Sequence, residues 1–247
     1  VRDEYTGRKR EELYDGRVKV RRFWAPRESK KTIFRAFRYF WCNLRSYQIG
    51  ASAKSIDLVF SNSTPPTQGL LGTMIAKKLS KKYKRKIPFV YNLQDVFPDS
   101  LVNAGMTKQG SLLWKIGRKI EDYTYRNTDR IIAISEGFKR NIMAKGVPED
   151  KITVVSNWID ITAVQPVEKE SNALYDDFGI DRDKYIVVYA GNFGATQGAD
   201  IVLEVAEKLK DMVDIQFVIF GGGVSFEDAK IRATSLPNVI IHGLLSQ

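Results

Sequence analysis

The sequence predicts an α/β protein of two domains, each built on a parallel sheet. Three observations point there. Short apolar runs alternate with stretches of helical periodicity, the pattern of strand–helix–strand crossovers. The alternation lapses once, over residues 158–170, where "WIDITAVQPVEKE" is polar and contains Pro166. It then resumes, and two of the later strands run straight into glycine.

The elements follow in order. The chain opens on polar material, "VRDEYTGRKREELYDGRVKVRRF", with the look of a loop and hairpin around Gly7 and Gly16. Residues 30–45 fit a helix. Residues 56–61 ("IDLVFS") read as a strand, and 67–82 as a helix with Leu70, Leu71, Met74, Ile75 and Leu79 on one face. Strand 87–93, helix 111–127, strand 129–135, helix 136–146 and strand 151–157 complete a run of βαβ units. Beyond the lapse come a helix near 172–178, strand 185–190, helix 198–210, strand 215–220, a further helix and strand 239–242. The expected division is 1–160 and 161–247, with 158–170 as the connection. A sheet of this kind begins with a buried strand and its glycine turn, which the first domain lacks. The second has too few residues to close a doubly wound sheet. Both domains are therefore expected to be incomplete.

Composition narrows the function. The chain of 247 residues has one cysteine, Cys42, so no internal disulfide forms and a reducing cytoplasm suits it. With a single histidine, His242, His/Cys metal sites are excluded by count. His242 sits in "NVIIHG" and is expected to close a strand rather than act as a base. No apolar run reaches membrane-spanning length. Charge is divided: residues 1–150 carry 31 Lys and Arg against 15 Asp and Glu, residues 151–247 carry 8 against 14. A half with net +16 points to an anionic partner (nucleic acid, a lipid surface or a phosphorylated substrate) ahead of a merely solvated basic surface. The basic residues form no nucleic-acid reading motif, and no nucleic-acid partner is expected.

Three motifs carry chemistry. In "YNLQDVFPDS", Asp95 lies just past a parallel strand, where open α/β sheets collect ligands; it equally fits a cap on the following turn. In "YAGNFGATQGAD", Gly191, Asn192, Phe193 and Gly194 lead toward a helix N-terminus that favours anions. Thr196 and Gln197 stand where a cation would help, and "FGGG", with Gly222 and Gly223, repeats the logic after the next strand. The third is the helix at 30–45. Ile33, Phe34, Phe37, Phe40, Trp41 and Leu44 fall on one face, and Lys31, Arg35, Arg38 and Arg45 on another. That suits a helix lying in an anionic lipid interface, or one packed on its own domain. The acids of "DRD" (181–183) precede their strand, so a metal there is rejected.

Taken together, "FSNSTPPTQGLLG", "PFVYNLQDVFPDSLVNAG", "DRIIAISEGFKRNI", "ITVVSNWID", "YAGNFGATQGADIVLEVAEKL" and "FVIFGGG" resemble the GT-B glycosyltransferases of family 4, especially those of bacterial capsule and O-antigen synthesis. The resemblance implies two Rossmann-like domains across a cleft, the first (1–160) for the acceptor and the second (161–247) for a nucleotide sugar. It implies retaining transfer from a donor of the UDP-sugar kind without a metal or cofactor. Asp95 would stand near the reacting sugar, and Gly191–Asn192–Phe193–Gly194, Thr196, Gln197, Gly222 and Gly223 at the donor. Asn157 and Asp160 match the "N-x-x-D" of the domain junction. Lys31, Arg35, Arg38, Trp41 and Arg45 would meet a polyprenyl-diphosphate or glycan acceptor at the inner face of the plasma membrane. The family's first strand and its acidic donor-binding region are not in the sequence, so the chain is expected to be an inactive fragment. A UDP-sugar 2-epimerase and a non-catalytic docking protein are the competing readings; one histidine weighs against the epimerase.

Overall fold

In a computed structural model, which describes residues 7, 10–27, 31–194 and 197–245, the chain divides into two units, Val1–Asn157 and Trp158–Gln247. The opening hairpin pairs β1 (Glu11–Tyr14) antiparallel with β2 (Val18–Arg21). Asp15 and Gly16 turn between them with φ of +49° and +65°, the two positive angles a tight hairpin turn requires.

Helix α1 (Thr32–Ala51) leads to a four-stranded parallel sheet in sequence order: β3 (Val59–Asn62), β4 (Phe89–Leu93), β5 (Arg130–Ala133) and β6 (Ile152–Val154). Crossovers are α2 (Gln68–Tyr83), then α3 (Asp99–Asn103) with α4 (Leu112–Asn127), then α5 (Glu136–Ala144). The long crossover helices α2, α4 and α5 cover the face that carries Phe89, Tyr91, Leu93, Ile131 and Ala133, as right-handed crossovers between consecutive neighbours require. On the opposite face Phe60 is exposed, and Val90, Asn92 and Ile132 are half-exposed.

Helix α2 departs from the expected single apolar stripe. Its buried, sheet-facing residues are small: Gly69, Gly72, Thr73 and Ala76, with Leu79 below. A methyl group on Gly72 would stand 2.5 Å from the Phe89 ring, and one on Gly69 2.5 Å from Thr124. Close approach to β4 thus excludes large side chains, so Leu70, Met74 and Ile75 turn sideways instead. Ile75 meets Gly50 of α1, where an added methyl would lie 2.6 Å from its Cδ1.

In the second unit a 3₁₀ turn (Lys169–Ser171) and α6 (Leu174–Asp177) precede the parallel sheet β7 (Tyr185–Asn192), β8 (Ile215–Gly222) and β9 (Val239–His242), crossed by α7 (Asp200–Lys208) and α8 (Phe226–Ala233). Helices α7 and α8 bury Leu203, Ala206, Phe217, Ile219 and Phe226 on one face. Ile180, Phe178 and Tyr175 pack against Val218 and Phe220 on the other. The edges of β7 and β8 extend two residues further than expected, into both glycine turns.

Candidate functional site

The two glycine turns of the second unit are one structure. Strands β7 and β8 pair in register to their last residues, Gly191 opposite Gly221 and Asn192 opposite Gly222. The Phe193 N–H then donates to the Gly222 carbonyl (2.7 Å), and the Ser225 N–H to the Phe193 carbonyl (3.1 Å). A methyl group on Gly221 would stand 2.6 Å from the Gly191 carbonyl oxygen. One on Gly223, whose φ is +126°, would stand 2.6 Å from the Phe193 carbonyl oxygen. Only glycine permits this closeness.

The Phe193 ring is buried against Tyr189 and Phe226, so Phe193 anchors the turn from beneath. Asn192, with an exposed side chain, reaches Gln197 Oε1 at 3.4 Å, and the Gln197 N–H donates to Gly194. Thr196 lies outside the described residues. Helix α7 starts at Asp200 rather than Gly198, and places that carboxylate in its own first turn. Among the described residues the cation nearest in sequence beyond the second turn, Lys230, is held by Glu227 and lies over the Phe226 ring. Phosphate bound here would meet backbone N–H groups before any cation.

In the first unit, the C-terminal end of β4 is fixed by Ser63. Its buried Oγ accepts the N–H groups of Gln94 and Asp95, each at 2.9 Å. The Asp95 carboxylate forms no hydrogen bond or ion pair among the described residues, and α3 begins at Asp99 without a side-chain cap. Asp95 is thus not a cap on the turn. It borders a cavity of about 10 Å³ with Tyr91, Glu121, Thr124 and Tyr125, room for about one water. Burial, then the Glu121 and Asp95 charges, push the Tyr91 hydroxyl well above its usual range, so it stays protonated.

Behind Asp95 lies a buried polar network that sequence reasoning missed. Glu121 accepts from Tyr125 (2.6 Å) and Lys145 (2.9 Å) and pairs with Arg118; Lys145 also pairs with Asp99 (2.8 Å). Burial still pushes the Glu121 carboxyl above the usual range, against the donors around it. One signal could have found it. Glu121 is an acid on the inward stripe of α4, one turn before Tyr125.

The remaining residues fall as follows. Lys31 is the N-cap of α1, and Lys30 lies outside the described residues. Ile33 (76 % exposed), Phe34, Phe37 and Phe40 stand in solvent rather than in a core. Trp41 donates to the Trp24 carbonyl, stacks with Phe37 and lies beside the Arg45 guanidinium. Arg35 and Arg38 flank the same stretch. Asn157 ends the first unit; Asp160 caps a turn by accepting from Thr162 and Ala163, which holds its carboxyl below the usual range. Asp181 turns back to the Asp183 N–H before β7, and His242 ends β9 against Phe178 and Phe220. No group of three or more metal-ligating side chains occurs among the described residues.

Parallel sheets with crossover helices and glycine turns at strand ends make both units Rossmann-like α/β folds. The sequence profile of the glycosyl transferase 4-like domain matches residues 1–158, and the chain belongs to that family. It is 26 % identical over 201 residues to the "Probable glycosyltransferase WbjE" of Pseudomonas aeruginosa, covering 81 % of this chain and 47 % of WbjE. It is 26 % identical over 147 residues to the alpha-galactosylglucosyldiacylglycerol synthase of Streptococcus pneumoniae, 59 % of this chain and 37 % of that one. Among solved structures, Anabaena HepE in complex with UDP superposes with a TM-score of 0.61 at 14 % identity, covering 85 % of this chain and 54 % of HepE. The chain thus spans about half or less of these relatives' length. No described helix is long and apolar enough to cross a membrane.

Proposed function

We propose that the protein is a glycosyltransferase that moves a sugar from a nucleoside diphosphate, UDP in our reading, to a lipid-linked acceptor during bacterial surface polysaccharide synthesis. The observation that carries it is the paired turn, where Gly191 and Gly221–Gly223 bring backbone without side chains of its own to the ends of two parallel strands. Such a stretch admits a diphosphate to backbone N–H groups. Family membership and the UDP bound to HepE support the donor class; a relative named for a glycosyldiacylglycerol product supports a lipid acceptor.

In this reading the bond between the anomeric carbon and the diphosphate oxygen breaks. The acceptor hydroxyl oxygen then bonds to that carbon with retained configuration, its proton passing to the departing diphosphate oxygen, without a resident metal, as the family resemblance implies. Asp95 supplies the polar group near the reacting sugar, Asn192 and Gln197 hold the turn's rim, Thr196 is a further donor-binding residue by the family resemblance, and Asn157 and Asp160 form the domain junction. The α1 helix, with Lys31, Arg35, Arg38, Trp41 and Arg45, rests on anionic lipid at the cytoplasmic membrane face.

Calorimetric titration tests the donor reading. Saturable binding of UDP, weaker for UMP and lost in Gly223→Ala, is the expected result. No binding of any nucleoside diphosphate would leave a non-catalytic docking protein in its place.

A further inference from the structure

We infer that the trough between α1 and α2 binds the hydrocarbon chain of the lipid-linked acceptor, an inference that rests on the acceptor reading above. The two helices run parallel: Tyr39 meets Thr67, Gly50 meets Ile75, and Ala53 accepts bonds from Lys82 and Tyr83. Residues 32–38 therefore project about 10 Å beyond the start of α2. Where the helices lie side by side they leave a cavity of about 330 Å³. Its walls are Phe40, Leu44 and Tyr47 from α1 and Leu70, Leu71 and Met74 from α2. At 1.5 Å per residue and a volume near ~30 Å³ per water-sized unit, it has room for on the order of ten methylene groups.

Why hydrocarbon? The trough exists because glycines hold α2 against β4 and turn its large apolar side chains outward, where Met74 remains 43 % exposed and Phe40 66 %. Apart from the Tyr47 hydroxyl, its polar side chains cluster at one end. There Tyr39 Oη lies 2.7 Å from Thr67 Oγ1, which donates to Asn43 Oδ1 (2.7 Å). These groups satisfy one another, and the Tyr47 hydroxyl alone, on walls otherwise of Phe40, Leu44, Leu70, Leu71 and Met74, is too little to pair with the backbone of a bound peptide. Helix α1 has three arginines, Arg35, Arg38 and Arg45, and no acid in 20 residues, which matches an apolar chain carrying an anionic head. The polar end lies at the start of α2, just past the C-terminal end of β3, on the same edge of the sheet as Ser63 and Asp95. A chain seated in the trough would present its head to that edge.

The test uses octyl, decyl and dodecyl phosphate below their micellar concentrations, titrated into the whole chain by calorimetry. Each buried methylene strengthens binding roughly fourfold, so affinity should climb about tenfold or more for each two carbons added until the trough is full. Met74→Trp and Leu44→Trp fill the trough at partly exposed positions, and each should lower dodecyl phosphate affinity at least tenfold while leaving thermal melting within a few degrees. Affinity independent of chain length, or unchanged in both variants, would overturn the inference. So would a dimer in sedimentation that both variants dissociate, since a second copy would then be the occupant. Vesicle sedimentation separates the parent reading: Ile33→Ser with Phe34→Ser, outside the trough, should lower binding to anionic vesicles and spare dodecyl phosphate. Vesicle binding without chain-length dependence would sink the trough alone.

Discussion

Gly221 and Gly191 lie so close across β8 and β7 that a methyl group on Gly221 would stand 2.6 Å from the Gly191 carbonyl oxygen. Backbone on one side and the buried Phe193 ring, 3.0 Å away, on the other leave no flexible group to give way. Gly221→Ala should therefore destabilise the second unit by about 1–3 kcal/mol and weaken UDP binding with it. Gly222→Ala meets only the Leu244 side chain at 3.2 Å and should cost less than about 1 kcal/mol. Urea unfolding of the two variants checks the order; equal costs would mean that the turn tolerates widening.

Ser63 and Asp95 separate stability from chemistry at one strand end. Ser63 Oγ is the acceptor for two backbone N–H groups, so Ser63→Ala should cost about 1–3 kcal/mol. The Asp95 carboxylate has no hydrogen-bond or ion-pair partner among the described residues, so Asp95→Ala should shift stability by less than about 0.5 kcal/mol. On the transferase reading, the same change should lower turnover on the order of a hundredfold, as loss of a group near a developing charge does. Near-normal turnover would remove Asp95 from the site.

The contrast between these residues also marks how much the sequence could disclose. The βαβ order, both glycine turns and the position of Asp95 past β4 follow from periodicity and from glycines at strand ends. Ser63 does not, because its role depends on β3 lying beside β4, a neighbour 30 residues away. Glu121 is hidden for a related reason. Its partners Lys145 and, through it, Asp99 come from the ends of two other helices, α5 and α3, and periodicity treats each as surface. On α2, periodicity groups Leu70, Met74 and Ile75 with Leu79 because it cannot tell the sheet side from the side facing α1. The glycines at 69 and 72 carry that distinction, through contacts with Phe89 and Thr124.

Asp129 sets the pH response of the first sheet. Its Oδ2 accepts the Phe89 N–H at 2.9 Å, and its own N–H donates to the Phe89 carbonyl. Partial burial acts to raise its carboxyl, but the bond from Lys86, the Phe89 N–H and the charges of Lys86 and Lys151 outweigh it and hold it low. A depressed carboxylate adds stability above its unfolded value, about 3.9, and loses it as pH falls through the folded one. Asp129→Asn should therefore be less stable than the parent at pH 7, with the gap closing in acid. A gap that stays constant from pH 7 to pH 2 would show that packing, not ionisation, carries the effect.

Ile33 and Phe34 offer a sharp test of what α1 is for. A side chain in a core costs several kcal/mol to truncate, whereas these two are 76 % and 54 % exposed and have little burial to lose. Ile33→Ser with Phe34→Ser should change the unfolding free energy by less than about 1 kcal/mol and improve solubility. If the pair is kept for a lipid interface, partitioning onto anionic vesicles should fall at the same time, and the residual binding should become more salt-sensitive because Lys31, Arg35, Arg38 and Arg45 then carry a larger share of it. Sedimentation with vesicles at low and high salt, beside urea unfolding, reads both effects. A loss of several kcal/mol with unchanged vesicle binding would instead make these side chains part of a packed interface.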